Sequence, residues 1–445
     1  MSLFAATFGS RPRAAQLPQR MPKPVFYLLA ATLSMFIAAN AFGSAVTAAI
    51  NLTKWVPLIG LLLVSMNELT TRRVPTCPPI MMLWLATFAL FAAVSAYFGI
   101  SALSSLGSLI SVAIVVLTGY AVAAIVVATD SRRQLFDLIA NIGRVLVVVA
   151  FLMYLAHINL GRGGGFSAWV DNPNTLAAIL APGSVVFMAG CLERRPGWAY
   201  RHLPFLLVSI PLFAASEGRA SYLWVMMSAA CFYLYRRGSV ITVFAVMLVL
   251  IVLIGWWEPI TSGLMHWTQL DQAARPDGDI GPLSGREEVW RIGMELFRER
   301  PVFGYGMGSS NALIREQAWR FVRFQGLHFH SSYIMALVET GLLGFLVFMA
   351  TIFTTFARGL SDARRTRVLP RELWPSAALP FAMFAGALGH AVFESWLLAG
   401  GNVNAPLFWT MVWMIHFQTQ VPIRKVVKSL PMRVAAARSP AIPTR

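Results

Sequence analysis

Apolar runs of about twenty residues recur along the sequence, as in Ile80 to Tyr97, Leu103 to Ala128 and Thr242 to Trp257. Wound as an α-helix at 1.5 Å per residue, a run of this kind crosses a hydrocarbon layer of roughly 30 Å. It also satisfies its own backbone hydrogen bonds where no water is available. The pattern therefore predicts an all-α, polytopic membrane protein with about 12 transmembrane helices. Composition agrees: the chain is 57% hydrophobic and only 12% charged, too apolar and too sparsely charged for a water-soluble domain.

The predicted spans are Val25 to Phe42, Thr53 to Met66, Ile80 to Tyr97, Leu103 to Ala128, Leu135 to Ile158, Thr175 to Leu192, Leu203 to Ala215, Ser221 to Tyr235, Val240 to Trp257, Ser332 to Phe356, Ser376 to Phe393 and Ala405 to Val421. The second and seventh contain Pro57 and Pro211, which leaves tilted or broken helices open there. A net charge of +17 would suit a nucleic-acid binder, but the basic residues sit in short connections between apolar runs, and no nucleic acid is expected as partner. Arg72 with Arg73, Arg132 with Arg133, Arg194 with Arg195, and Arg236 with Arg237 are examples, each separated from the next by a pair of spans. By the positive-inside rule these clusters and both termini face the cytoplasm.

The expected domains are a basic cytoplasmic tail (1–24), a transmembrane domain (25–421) and a second basic cytoplasmic tail (422–445). Membrane lipids are expected partners of such a chain. A cleaved signal peptide, for which Ala39-Asn40-Ala41 supplies a cleavage-like triplet, is the disfavoured reading because polytopic chains rarely need one. Cys77, Cys191 and Cys231 make no disulfide framework.

One connection differs from the rest. Residues 258–331 form a long loop that holds nine of the 19 acidic residues and falls on the outer side, where long connections translocate largely regardless of charge. Thr268 to Pro282 reads as irregular. Ser284 and Glu287 have capping-box spacing and open a surface helix carrying Trp290, Met294 and Phe297, which Pro301 stops. A second short surface helix is predicted from Ala312 to Phe324 with Asn311 as cap, and Trp290, Phe297, Trp319 and Phe321 suit both lying apolar side down on the membrane. Between them, Phe303-Gly304-Tyr305-Gly306-Met307-Gly308 reads as a tight turn more readily than as a phosphate cradle.

Polar motifs gather on the same predicted face: Gly161-Arg162, Asp171-Asn172-Pro173-Asn174, Ser216-Glu217-Gly218-Arg219-Ala220, Ser284-Gly285-Arg286, His328-Phe329-His330-Ser331-Ser332-Tyr333, and Glu394-Ser395-Trp396 with Asn402. With Pro301-Val302-Phe303-Gly304-Tyr305-Gly306 and Glu339-Thr340-Gly341-Leu342-Leu343-Gly344, this set resembles the bacterial O-antigen ligase and exopolysaccharide polymerase family over about Gly161 to Asn402. The first 130 residues match only as spans. The family often has Ser-x-Ser-Arg where this chain has Ser216-Glu217-Gly218-Arg219, and His-Asn where it has His330-Ser331.

The resemblance implies a glycosyltransferase using a glycan carried on undecaprenyl pyrophosphate, with outer-facing arginines, a histidine and neither metal nor cofactor. His330, Arg286 and Arg219 are then the expected catalytic residues, and Arg162, Asn172, Asn174, Glu217, Tyr305, Glu394 and Asn402 the expected substrate-binding ones.

The chemistry suits these residue types. Arginine stays protonated and its planar fork matches phosphate oxygens, as a pyrophosphate leaving group requires. Histidine titrates near neutrality and can take a proton from an acceptor hydroxyl. Bland readings stand beside these. Arg162 and Arg219 lie at span ends where arginines snorkel, Glu287 and Glu288 could balance Arg286, and the Asn and Glu residues could cap helices or pair with arginines. The expected partners are the lipid-linked oligosaccharide and an acceptor glycan, with a chain-length regulator allowed if the product is a polymer. Polymerisation of an exopolysaccharide or O-antigen is favoured over ligation to lipid A core. A twelve-span flippase or other transporter is the rival of another class, disfavoured because its charges belong near the midplane.

Overall fold

The computed structural model describes residues 20–40, 44–72, 75, 77–161, 165–192, 198–216, 218–237, 286–320, 328–366 and 374–418. Among them no β-strand occurs, and the helices follow the apolar runs. They are α1 (Lys23–Ala38), α2 (Ser44–Thr53), α3 (Trp55–Thr71), α4 (Pro79–Phe98), α5 (Ala102–Ala128), α6 (Arg132–Leu155), α7 (Pro173–Leu192), α8 (Trp198–Ala215), α9 (Arg219–Arg237), α10 (Arg286–Glu299), α11 (Ser310–Glu316), α12 (Ser332–Thr366), α13 (Trp374–His390) and α14 (Ala405–Gln418). A helix stands at every predicted span except Val240 to Trp257, which lies outside the described residues, as do residues 1–19 of the first tail, the whole second tail and Thr268 to Pro282. Among the described residues 6 helices are long and apolar enough to cross a membrane on their own, so the chain is a multi-pass membrane protein.

Burial sorts the helices into a centre and a rim. Every residue of α14 is buried, and α7 is buried along most of its length, so these two apolar helices form the middle of the bundle. Around them α13 packs on α9, α14 on α5, α7 on α8 and α12 on α4. The outer helices present Leu63, Leu90, Leu103 and Leu152 outward, a surface that water would penalise and lipid accepts. Pro57 lies in the first turn of α3, and Pro204 and Pro211 are carried within α8, so neither short span is broken at its proline.

The largest departure from expectation is in α12. It runs on to Thr366, beyond the predicted Phe356, and is interrupted at Gly341, whose φ is 66° and ψ −173°. The break unpairs backbone groups, and the glycine-rich turn fills it. Tyr305 N donates to Val338 O at 3.0 Å and Gly306 N to Glu339 O at 2.9 Å, while Leu342 N donates to Pro301 O at 2.8 Å. Non-helical backbone is tolerated in a membrane helix when protein groups satisfy it in this way. Gly304 and Gly306 take φ of 71° and 96°, so Phe303 to Gly308 is a structural turn. On its other side Ile100 N donates to Tyr305 O at 3.0 Å, fastening the turn to the α4–α5 corner.

The surface helices differ from prediction in two ways. Helix α10 ends before Pro301 as expected, and the predicted cap Ser284 lies outside the described residues; its buried face is Val289, Ile292, Gly293 and Leu296, packed against α12. Trp290 and Phe297 border that face and pack against the protein core, because the i, i+3, i+7 stripe of Val289 faces α12 more squarely. Helix α11 spans only Ser310–Glu316, followed by a 3-10 turn at Ala318–Arg320. Asn311 is inside it and Ser309 takes the cap position; Phe321 lies outside the described residues.

Candidate active site

The segment that carries His330 is stitched to the connection between α13 and α14. Ser332 N donates to Ala391 O at 2.9 Å and to Glu394 O at 3.1 Å. Ser332 Oγ donates to Glu394 O at 2.7 Å and accepts from Trp396 N at 2.9 Å, and Ser331 N donates to Ser395 Oγ at 2.9 Å. From the other side Trp290 Nε1 of α10 donates to Phe329 O at 2.9 Å. These bonds hold His330 at φ 47°, a left-handed backbone that a non-glycine residue rarely adopts without such support.

Two of the predicted catalytic residues meet on one carboxylate. Arg286 Nη2 lies 3.1 Å from Glu394 Oε1, and His330 Nδ1 lies 3.4 Å from Glu394 Oε2. All three side chains are largely buried, with 12% of Arg286 exposed and 18% of His330 and Glu394. Burial opposes charge on Glu394, but the neighbouring imidazole of His330 and then Arg286 outweigh it and bring the carboxyl down to about 2. Arg286 thus opens α10 facing a carboxylate more than a hundred residues away (|i−j|=108). A buried carboxylate at Nδ1 holds the imidazole ring and favours the tautomer that leaves Nε2 as proton acceptor.

Beside this triad lies a cavity of about 230 Å³ lined by Ser108 and Ser111 of α5, Ser310 and Asn311 of α11, His328, Glu339 and Ser395, among others. Glu339, buried in α12, accepts from Ser310 N at 3.2 Å and Ser310 Oγ at 2.5 Å.

The remaining predicted residues separate into groups. Arg219 opens α9, where the preceding Gly218 abuts Ala177 of α7, but its side chain lies outside the described residues. Arg162 and Glu217 lie outside them altogether. Asn172 caps α7: its Oδ1 accepts from Asn174 N at 2.8 Å and its carbonyl from Thr175 N at 3.0 Å. Asn402 Oδ1 accepts from Asn404 N at 2.9 Å just before α14, repeating the arrangement. The Tyr305 hydroxyl donates to Glu299 Oε2 at 2.6 Å, and burial with that bond pushes the phenol up to about 12. These contacts give Asn172, Asn402 and Tyr305 structural work at the same end of the bundle.

The sequence left Glu394 open between sugar binding and pairing with an arginine, and although Ser332 and Glu339 stand in its motifs, neither they nor Asn404 received a role. Asn404 Nδ2 donates to Ala178 O at 3.3 Å, tying the loop before α14 to α7. The signal for Glu339 was available: a carboxylate inside a predicted span demands a partner.

Residues 203–349 match the family model described as O-antigen ligase, a stretch that includes Arg219, Arg286 and His330. The chain is also similar to the exopolysaccharide production protein ExoQ of Rhizobium meliloti (strain 1021), with 28% identity over 141 residues. That match covers 30% of this chain and 31% of the relative, so the likeness spans under a third of either protein. The chain is thus similar to the O-antigen ligase family over residues 203–349 and to an exopolysaccharide production protein over 141 residues.

Proposed function

We propose that this protein is a membrane glycosyltransferase that moves a glycan from undecaprenyl pyrophosphate to an acceptor sugar hydroxyl at the periplasmic face of the inner membrane. The supporting observation is the convergence of Arg286 and His330 on Glu394. The acceptor oxygen attacks the anomeric carbon, a new glycosidic bond forms, and the sugar–pyrophosphate bond breaks with inversion. His330 Nε2 takes the acceptor's proton while Glu394 at Nδ1 stabilises the resulting imidazolium. Arg286 and Arg219 hold the pyrophosphate and offset the charge it gains on leaving. Fixed guanidiniums perform this task without a divalent metal.

Two products fit this chemistry. The relative's part in exopolysaccharide production favours a polymerase, in which the acceptor is another lipid-linked repeat unit. The family description favours ligation to lipid A core. Purified protein in nanodiscs, given lipid-linked oligosaccharide alone, should build longer lipid-linked chains with or without chelator. Failure without lipid A core and success with it would replace the polymerase by the ligase, and loss in chelator with recovery on added magnesium or manganese would end the metal-free mechanism. Accumulation of substrate inside vesicles with no new glycosidic bond would point to a transporter.

A further inference from the structure

Helix α5 is 27 residues long, roughly 40 Å, so its two ends lie on opposite sides of the bundle. Its start lies beside the glycine-rich turn at the candidate site, and its end leads through Ser131 into α6. Helix α8 reaches the site end at Ala215, whose carbonyl accepts from Phe166 N at 2.8 Å, so the first turns of α6 and α8 share the far end. There a cavity of about 520 Å³ opens, lined by Arg133, Asp137, Asn141 and Arg144 of α6 and by Tyr200 and Arg201 of α8.

We propose that this cavity binds the phosphate of an anionic phospholipid from the leaflet on that side. Three guanidiniums face one carboxylate; Arg133 lies 3.7 Å from Asp137, and the positive excess stands with Arg144 and Arg201. Arg144 sits well inside α6, roughly 18 Å along the axis from Arg132. Its side chain turns back along the helix, donating to Asn141 Oδ1 at 2.5 Å and lying 5.7 Å over the Phe205 ring. A guanidinium at that depth calls for an anion or a water-filled cavity.

The apolar surface indicates which anion. From Asn141 an exposed lane continues along α6 through Val145, Val148, Val149 and Leu152, and from Tyr200 a second runs along α8 through Leu203, Leu207 and Ile210. Both follow helical spacing away from the cavity toward the membrane interior. Acyl chains fit these lanes while the headgroup phosphate meets the arginines; a free anion has no use for them. Basic pockets between membrane helices are known settings for anionic headgroups.

The test is lipid binding by the full-length protein, read by native mass spectrometry after titration with phosphatidylglycerol or phosphatidylcholine in zwitterionic detergent. Wild type should retain phosphatidylglycerol preferentially. Arg144→Gln and Arg201→Gln should each weaken it roughly fivefold, the worth of one cation at an anionic membrane surface, and Arg201→Lys should keep most of it. Arg201 is exposed on the first turns of α8, so its variants report binding with the fold intact, which an unchanged melting temperature verifies. Equal retention of both lipids, or unchanged selectivity in the Arg144→Gln/Arg201→Gln protein, overturns the proposal. Displacement of phosphatidylglycerol by inorganic phosphate at equal concentration would make the cavity a free-anion site and overturns it too.

Discussion

Glu394 holds the geometry of the candidate site, since it meets both Arg286 and His330. The roles proposed for them separate in binding and rate. His330→Ala should leave donor binding near normal and lower transfer by roughly 10² to 10⁴, the usual contribution of a positioned base. Arg286→Ala should also weaken donor binding, by roughly tenfold to a hundredfold for a lost charge-assisted phosphate contact, and Arg286→Lys should stay impaired because the fork is gone. Donor affinity and single-turnover rate for each protein decide this; near-normal transfer by His330→Ala removes it as base. The carboxyl of Glu394 carries its own pH signature. Its value in the folded protein, about 2, lies below the ordinary 4.5, so its stabilising contribution is complete above pH 4.5 and declines as pH falls toward 2. The melting-temperature gap between wild type and Glu394→Gln should therefore be constant from about pH 5 to 7 and narrow by about pH 3; a constant gap throughout assigns the stabilisation elsewhere.

At the scale of elements, the broken helix α12 and the glycine-rich turn form one unit. Tyr305 and Gly306 supply N–H groups to carbonyls freed by the break, and a Cβ on Gly341 would stand 2.3 Å from Val302 O. Gly341→Ala should be strongly destabilising, with about 1 to 3 kcal/mol from a positive-φ, extended-ψ backbone that is essentially glycine-only, before the clash is counted. Gly107 in α5 has nothing within 4 Å of an added Cβ, so Gly107→Ala should be neutral or raise stability by up to about 1 kcal/mol through helix propensity. Thermal unfolding in one detergent compares them directly, and equal melting temperatures would show that the break carries no such strain. Because α10 leads into this turn and Trp290 reaches Phe329, loosening the break should also disturb His330, lowering transfer along with stability.

For the whole molecule, the ends of α4, α6, α8 and α13 meet the starts of α5, α7, α9, α12 and α14 through backbone and side-chain bonds, gathering the polar motifs at one end. We propose from the charge distribution that this end faces the periplasm. A single cysteine introduced near Asp277 into a cysteine-free background should react with an impermeant maleimide in intact spheroplasts; labelling only after lysis would invert the topology. On the two proposals, the ends have different tasks, glycan transfer at one and phospholipid contact at the other.

Local pattern alone determined the helices, since an apolar run of this length has few other ways to satisfy its backbone in lipid. It also marked the stop of α10 before Pro301, because proline acts over a few positions. His330 and Arg286 were legible because their chemistry is carried by residue type within a recognisable motif. Only the tertiary structure joined them to Glu394, turned Asn172 and Asn402 into caps at neighbouring helix starts, and set Tyr305 against Glu299. It also broke α12 at Gly341, a glycine that helical periodicity passes over. The reason is distance along the chain: periodicity and capping are properties of adjacent residues, whereas an ion pair between positions 286 and 394, or a turn that satisfies another helix's carbonyls, exists only once packing has brought distant segments together.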